Sequence, residues 1–281
     1  MACASKTRGE ARRDCAALHR ETTTLSRAVG IGGERRGHFV YAAAQIVVER
    51  GGPLRPWEVR NDRSNSPPHR SRCPDAVYQN AHARGAATAL SIHVASELSG
   101  TCNAARLAAE AAPLPVTVLD SETTSLALGW IVILVARAGR RGATLDELVA
   151  LGERLRSQAA LYAMLDTLEY LRRGGRANRV TEMLAGLLDI KPIVVVANNR
   201  IELAGRVRTR SRALAWLRNR VAADAPLHGL GVVHARAPEQ AAILAGMIQP
   251  YTPAPLIVTL AGPALSAHAG PGAVGVGYVR A

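Results

Sequence analysis

From about residue 89 onward the sequence predicts an α/β fold, on three observations. Short apolar runs of strand length alternate with longer segments of helical character. Glycine, proline and asparagine signals separate the two kinds of segment. One helix start carries a capping box, Thr144-Leu145-Asp146-Glu147, in which the hydroxyl and the carboxylate each satisfy an orphan amide donor.

The elements follow in order. ALSIHVA (residues 89–95) is a strand-length apolar run, and S-E-L-S-G-T (96–101) opens an alanine-rich helical segment over 103–112. PVTVLDS (115–121) is a second strand. LALGWIVILVA (126–136) is too short for a membrane span, which needs roughly 18 to 20 apolar residues, and reads as a buried helix. The capping box starts a helix reaching Gln158. LYAML (161–165) is a third strand, followed by a short helix through Leu168 and Leu171 that stops at Gly174-Gly175. IKPIVVVA (190–197) and IELAGRVR (201–208) flank Asn198-Asn199, a pair able to take positive φ, and read as an antiparallel hairpin. A helix over 211–222, a strand over 229–235, a proline-led helix over 238–248, a strand over 255–260 and a glycine-rich terminal strand complete the pattern.

Residues 1–70 do not join it. Apart from the apolar run FVYAAAQIVV (39–48) they lack a steady period, and NDRSNSPPHRSR (61–72) reads as loop or disorder. Charge begins at Lys6 with no apolar run behind it, so the N-terminus does not resemble a secretory signal and a cytoplasmic location is expected. Cys3, Cys15, Cys73 and Cys102 are far apart, with no metal-ligand spacing, and are read as free thiols. Of the net charge of +13, residues 1–74 hold 14 Lys and Arg against 7 Asp and Glu, hence +7. The cations are arginine except Lys6 and Lys191, and aromatic residues are few, so a nucleic-acid partner is not expected.

Three stretches carry candidate chemistry. Ser96, Ser99 and Thr101 place hydroxyls at a helix N-terminus, where carboxylates and phosphates are held; an ordinary N-cap reading stands beside it. L-R-R-G-G-R (171–176) frees the backbone at Gly174-Gly175 and offers Arg176 as a cation, although Arg172, Arg173 and Gly174 alone make an ordinary basic C-terminus. His268 precedes G-P-G-A-V-G (270–275). That hexamer fits a dinucleotide fingerprint in letters only, because too few residues follow for a helix and a second strand. Asp120 is read as a loop cap or a cleft residue, and His93 and His234, inside apolar strands, as structural. No nucleophile elbow, metal set or cofactor motif is found.

S-E-L-S-G-T, V-L-D-S, L-E-Y-L-R-R-G-G-R, L-L-D-I-K-P-I, V-R-T-R and H-A-G-P-G-A-V-G-V-G-Y, in this order, resemble the DegV family of bacterial fatty-acid-binding proteins over roughly Ser71 to Ala281. The resemblance implies a two-domain α/β protein, a mostly parallel sheet domain (71–160) plus a smaller α/β sandwich domain (161–281). It implies a long-chain fatty acid in an apolar tunnel, presented to a separate fatty acid kinase, with no catalysis, cofactor or metal of its own. Carried over by position, Ser96, Arg176 and His268 bind the carboxylate, supported by Ser99, Thr101, Gly174, Gly175 and Gly270. The family's opening Asp-Ser-Thr strand has no counterpart in residues 1–60. Its Thr-Ser-x-Pro-Ser segment is reduced to Arg70-Ser71-Arg72-Cys73-Pro74, and Ala95 stands where a serine is common. So abrupt a loss points to a wrong start or a shifted reading frame upstream of residue 71. Two rival readings are an enzyme acting on a small anionic metabolite through His268 and Arg176, and a basic interaction protein.

Overall fold

The computed structural model describes residues 43–49, 74–83, 85–176, 190–253 and 256–281. The expectations on Cys3, Cys15, residues 61–73 and the Leu187–Asp189 end of the L-L-D-I-K-P-I run lie outside them. The described residues form two sheets. The first has the order β1-β2-β3, with β1 (Ala43–Glu49) antiparallel to β2 (Ala86–His93) and β2 parallel to β3 (Val116–Asp120). Residues of β2 alternate between two environments, as strand geometry requires. Ala89 packs with Tyr78 and Ala81 of α1 (Pro74–Ala83) and Ala108 of α2 (Thr101–Glu110), while Leu90 and Ile92 enter the main core.

The second sheet is wider. Its order is β6-β5-β4-β9-β7-β8, made by β4 (Ala159–Met164), β5 (Lys191–Ala197), β6 (Arg200–Val207), β7 (Leu227–His234), β8 (Ile257–Leu260) and β9 (Val274–Arg280). Only β7 and β8 pair in parallel; the other neighbours are antiparallel. One face packs on α6 (Arg210–Asp224) and α7 (Pro238–Ile248) through Leu217, Val221, Leu244 and Ile248.

The opposite face meets α3 (Ser125–Arg140), which lies between the sheets. Burial of Leu126–Ile133, Val135 and Ala136 in α3 fits a helix that is apolar all round, the buried helix expected from the sequence. Among the described residues no helix is long and apolar enough to cross a membrane. α4 (Leu145–Gln158) starts at the expected capping box: Thr144 accepts the Glu147 amide, and the Glu147 carboxylate accepts the Thr144 amide at 2.7 Å. Asn198 and Asn199 have φ of 51° and 62°, as the hairpin required.

The structure also contains elements that periodicity did not disclose. β1 lies in the unassigned N-terminal region, and α1 adjoins it. α5 (Glu169–Arg173) is the expected short helix, whereas α8 (Pro263–Ala269) has no counterpart among the expected elements: seven residues are too few to show a 3.6-residue period. α2 begins at Thr101 rather than 103, because Gly100, not a later residue, occupies its N-cap.

Candidate functional site

A cavity of about 240 Å³ lies on the α3-facing side of the six-stranded sheet. Its floor is apolar: Leu161 and Ala163 from β4, Val194 and Val196 from β5, and Val233 from β7. Inward positions along a strand recur every second residue, so the paired strands β4 and β5 contribute one strip, and β7 adds Val233 from beyond β9. α8, the serine loop (96–101) and the start of α3 form the rest of the wall.

Three of the residues singled out in the sequence meet at this wall: Ser99, Arg176 and His268. They come from segments 77 and 92 residues apart (176 − 99 and 268 − 176), joined by specific contacts. Arg176 donates from Nε to the Leu98 carbonyl at 3.3 Å and from Nη1 to the Gly174 carbonyl at 2.6 Å. Gly174 is pressed so closely on the imidazole of His268 that a Cβ there would overlap Nδ1. Gly175 (φ 68°) and Gly270 (φ 76°) supply backbone turns on either side, and the Tyr170 ring packs on Gly270. His268 Nδ1 is buried without a hydrogen-bond partner. Burial first, and then the Arg176 charge, lower the imidazole pKa below its ordinary value. The group is an uncharged ring beside a cation, an environment that an incoming anion would rebalance.

Ser96 does not line the cavity. Its amide donates to Asp120 Oδ2 at 3.2 Å, and its hydroxyl also bonds that carboxylate. Asp120 further accepts the Glu122 amide (2.9 Å) and Asn199 Nδ2 (3.2 Å). Burial pushes the Asp120 carboxyl up, but the donors from Ser96, Glu122 and Asn199 together outweigh it and hold the group below the usual range. Asp120 therefore ties the serine loop to the β5–β6 turn. Ser99 and Thr101 bond each other through their hydroxyls at 2.7 Å, which shapes the turn entering α2. Neither serine caps α2, whose N-cap is Gly100; Ser96 is tied to Asp120 and Ser99 faces the cavity.

Sequence reasoning missed Asp166. Its carboxylate binds Lys191 at 3.0 Å and Arg210, and Gly272 rests on it, so it anchors the turn after His268. An acid directly after a strand, in Leu165-Asp166-Thr167, was the available signal. Thr124 and Ser125, at the start of α3, also line the cavity and were not singled out. His234 is structural, its Nδ1 accepting the Ala237 amide at 3.2 Å. Cys102 is a buried free thiol. No cluster of metal-ligating side chains occurs among the described residues.

Comparison with known families now decides the kinship: residues 61–281 match the model described as uncharacterised protein, DegV family. The chain belongs to the DegV family. A DegV domain-containing protein of Streptomyces coelicolor is 38% identical over 206 residues, 71% of this chain and 73% of that one. Among solved structures, a fatty-acid-binding DegV family protein from Thermus thermophilus superposes with a TM-score of 0.68 at 28% identity, covering 74% of this chain and 76% of that one. DegV of Bacillus subtilis, a fatty acid binding protein, gives 0.63 at 26% identity, with 74% and 76% covered. The match begins at residue 61, ten residues before the resemblance seen in the sequence, and the α/β DegV fold expected from it is present.

Proposed function

We propose that this DegV chain binds a long-chain fatty acid and presents its carboxylate to a separate fatty acid kinase, without catalysing a reaction itself. The observation that carries the reading is a partnerless buried imidazole nitrogen, His268 Nδ1, beside the Arg176 guanidinium on the wall of an otherwise mostly apolar cavity. An alkyl chain suits the Leu161–Val196–Val233 floor, and a carboxylate suits the donors at Ser99, Arg176 and His268. Ser96 joins them when its hydroxyl turns away from Asp120. Gly174, Gly175 and Gly270 shape the backbone around the headgroup. The fatty-acid-binding relatives from Thermus thermophilus and Bacillus subtilis support the same ligand class.

The energetics assign different tasks to the two ends. Each buried methylene contributes about 0.8 kcal/mol, whereas a hydrogen bond to a charged group contributes about 1.5–3 kcal/mol. The tail dominates affinity, and the headgroup contacts fix which end is presented. Organic extraction and mass spectrometry of the purified protein test the reading, together with titration of added oleate. Stoichiometric bound or acquired acid supports it; neither bound acid nor uptake refutes it. The presentation step is tested by adding a fatty acid kinase and ATP: acyl phosphate should form only when this protein is present.

A further inference from the structure

The cavity wall holds one polar side chain to which the headgroup reading above gives no task. Ser125, the first residue of α3, is 4% exposed and lines the cavity, and no other described residue hydrogen-bonds its hydroxyl. Polar groups so far withdrawn from solvent are usually paired, and the space in front of this one is the cavity. Backbone preference does not explain the serine either. Its φ is 56°, a region in which glycine is at ease and a side chain is strained.

Ser125 stands beside the serine loop. The Thr123 carbonyl accepts the Ala95 amide at 2.9 Å, the Ala95 carbonyl accepts the Ser99 amide at 3.1 Å, and Arg176 Nε donates to the Leu98 carbonyl at 3.3 Å. The start of α3, the serine loop and the guanidinium are thus one connected wall. The axis of α3 has the matching direction. Leu126 packs on Gly231 and Gly277, and Trp130, about one turn later, covers Gly229. Along β7 the step from Gly231 to Gly229 leads away from Val233 of the cavity floor, so α3 turns its N-terminal end towards the cavity. That end belongs to a 16-residue helix whose cap residue, Thr124, bonds none of the first-turn amides through its side chain. It carries amides without intrahelical acceptors and the positive end of the dipole.

We propose that the Ser125 hydroxyl, backed by the N-terminal end of α3, is a further ligand of the fatty acid carboxylate, beside Ser99, Arg176 and His268. The inference rests on the fatty-acid reading above and extends its headgroup site. A carboxylate that leaves water for a mostly apolar cavity needs several donors. Arg176 already commits hydrogens of Nε and Nη1 to the Leu98 and Gly174 carbonyls, and a neutral imidazole at His268 has a single ring proton to give. Ser125 supplies a further donor, and the helix end adds a field of the favourable sign.

Oleate and methyl oleate share one chain and differ in headgroup charge, and they are the probes, measured by calorimetric titration of delipidated full-length protein. Ser125→Gly removes the hydroxyl, and Ser125→Asp replaces it with a negative charge. Glycine and aspartate both tolerate the positive φ, and an acid suits a first helical turn, so both variants should melt at or above the wild-type temperature. Ser125→Gly should weaken oleate about tenfold, the scale of one hydrogen bond to a charged group, and methyl oleate by less than about threefold. Ser125→Asp sets like charges against each other and should weaken oleate roughly a hundredfold, again with little change for the ester. Unchanged oleate affinity in both variants, or equal losses for the acid and its ester, overturns the inference and leaves the fatty-acid reading standing. Failure of the wild type to bind oleate overturns that reading itself.

Discussion

Acidification should loosen the first sheet through one side chain, His93, whose replacement by Gln should remove the effect. His93 is 1% exposed on β2. The Tyr78 hydroxyl donates to Ser91 Oγ at 3.1 Å, and Ser91 Oγ and His93 Nε2 share a hydrogen bond of 2.6 Å. The other ring nitrogen, Nδ1, is buried without a hydrogen-bond partner. Burial chiefly, opposed by the Asp120 charge and reinforced by that of Arg106, lowers the imidazole pKa from 6.5 to about 4. Between these values the unfolded chain binds a proton that the folded chain refuses, so stability is full above pH 6.5 and falls as the pH drops towards about 4. At about 1.4 kcal/mol per pH unit, this window removes roughly 3 kcal/mol. His93 stands opposite Asp120 in the β2–β3 register, three residues before Ser96, so the loss reaches the scaffold of the serine loop. Urea unfolding of wild type and His93→Gln across the window provides the assay. The variant starts from a lower stability but should show a distinctly smaller slope with pH; equal slopes would refute the argument.

Three other outcomes are expected. Gly174→Ala should displace the His268 ring and weaken oleate binding about tenfold or more, while the melting point changes little because the site is at the surface end of α5; calorimetric titration and thermal melting read both. Carboxylate binding should raise the depressed His268 pKa, so protons are taken up on binding and affinity rises as the pH falls through the range where the free protein's imidazole is still neutral. Titration in buffers of differing ionisation enthalpy measures that uptake, and His268→Ala should abolish it. Asp120→Ala strands the Ser96, Glu122 and Asn199 donors and should cost about 2–4 kcal/mol in urea unfolding. An unchanged midpoint would mean that the three donors find other acceptors.

Much of the fold was legible because it follows local rules. The capping box at Thr144, the Asn198-Asn199 hairpin and the buried character of α3 each depend on residues within a few positions of one another, and each appears as read. α8 escaped because its seven residues leave no period to detect, although Pro263 and Gly270 mark its ends. The site was legible in residue type and only partly in arrangement. Hydroxyl, guanidinium and imidazole were all named in advance, but the sequence treats Ser96 and Ser99 alike.

The sequence by itself determined which faces are apolar, where helices start and stop, and which motifs the chain shares with the DegV family, since all of these reside in the order of neighbouring side chains. Tertiary structure alone decided that β9 inserts between β4 and β7, that Asp120 holds Ser96 while Ser99 lines the cavity with Arg176 and His268, and that Thr124 and Ser125 line the same cavity. The physical reason is that a period specifies the face a residue occupies but not its partner across that face. Partners separated by about 80 or 90 residues in sequence meet only when strand order and helix packing have been settled by burial of the whole core.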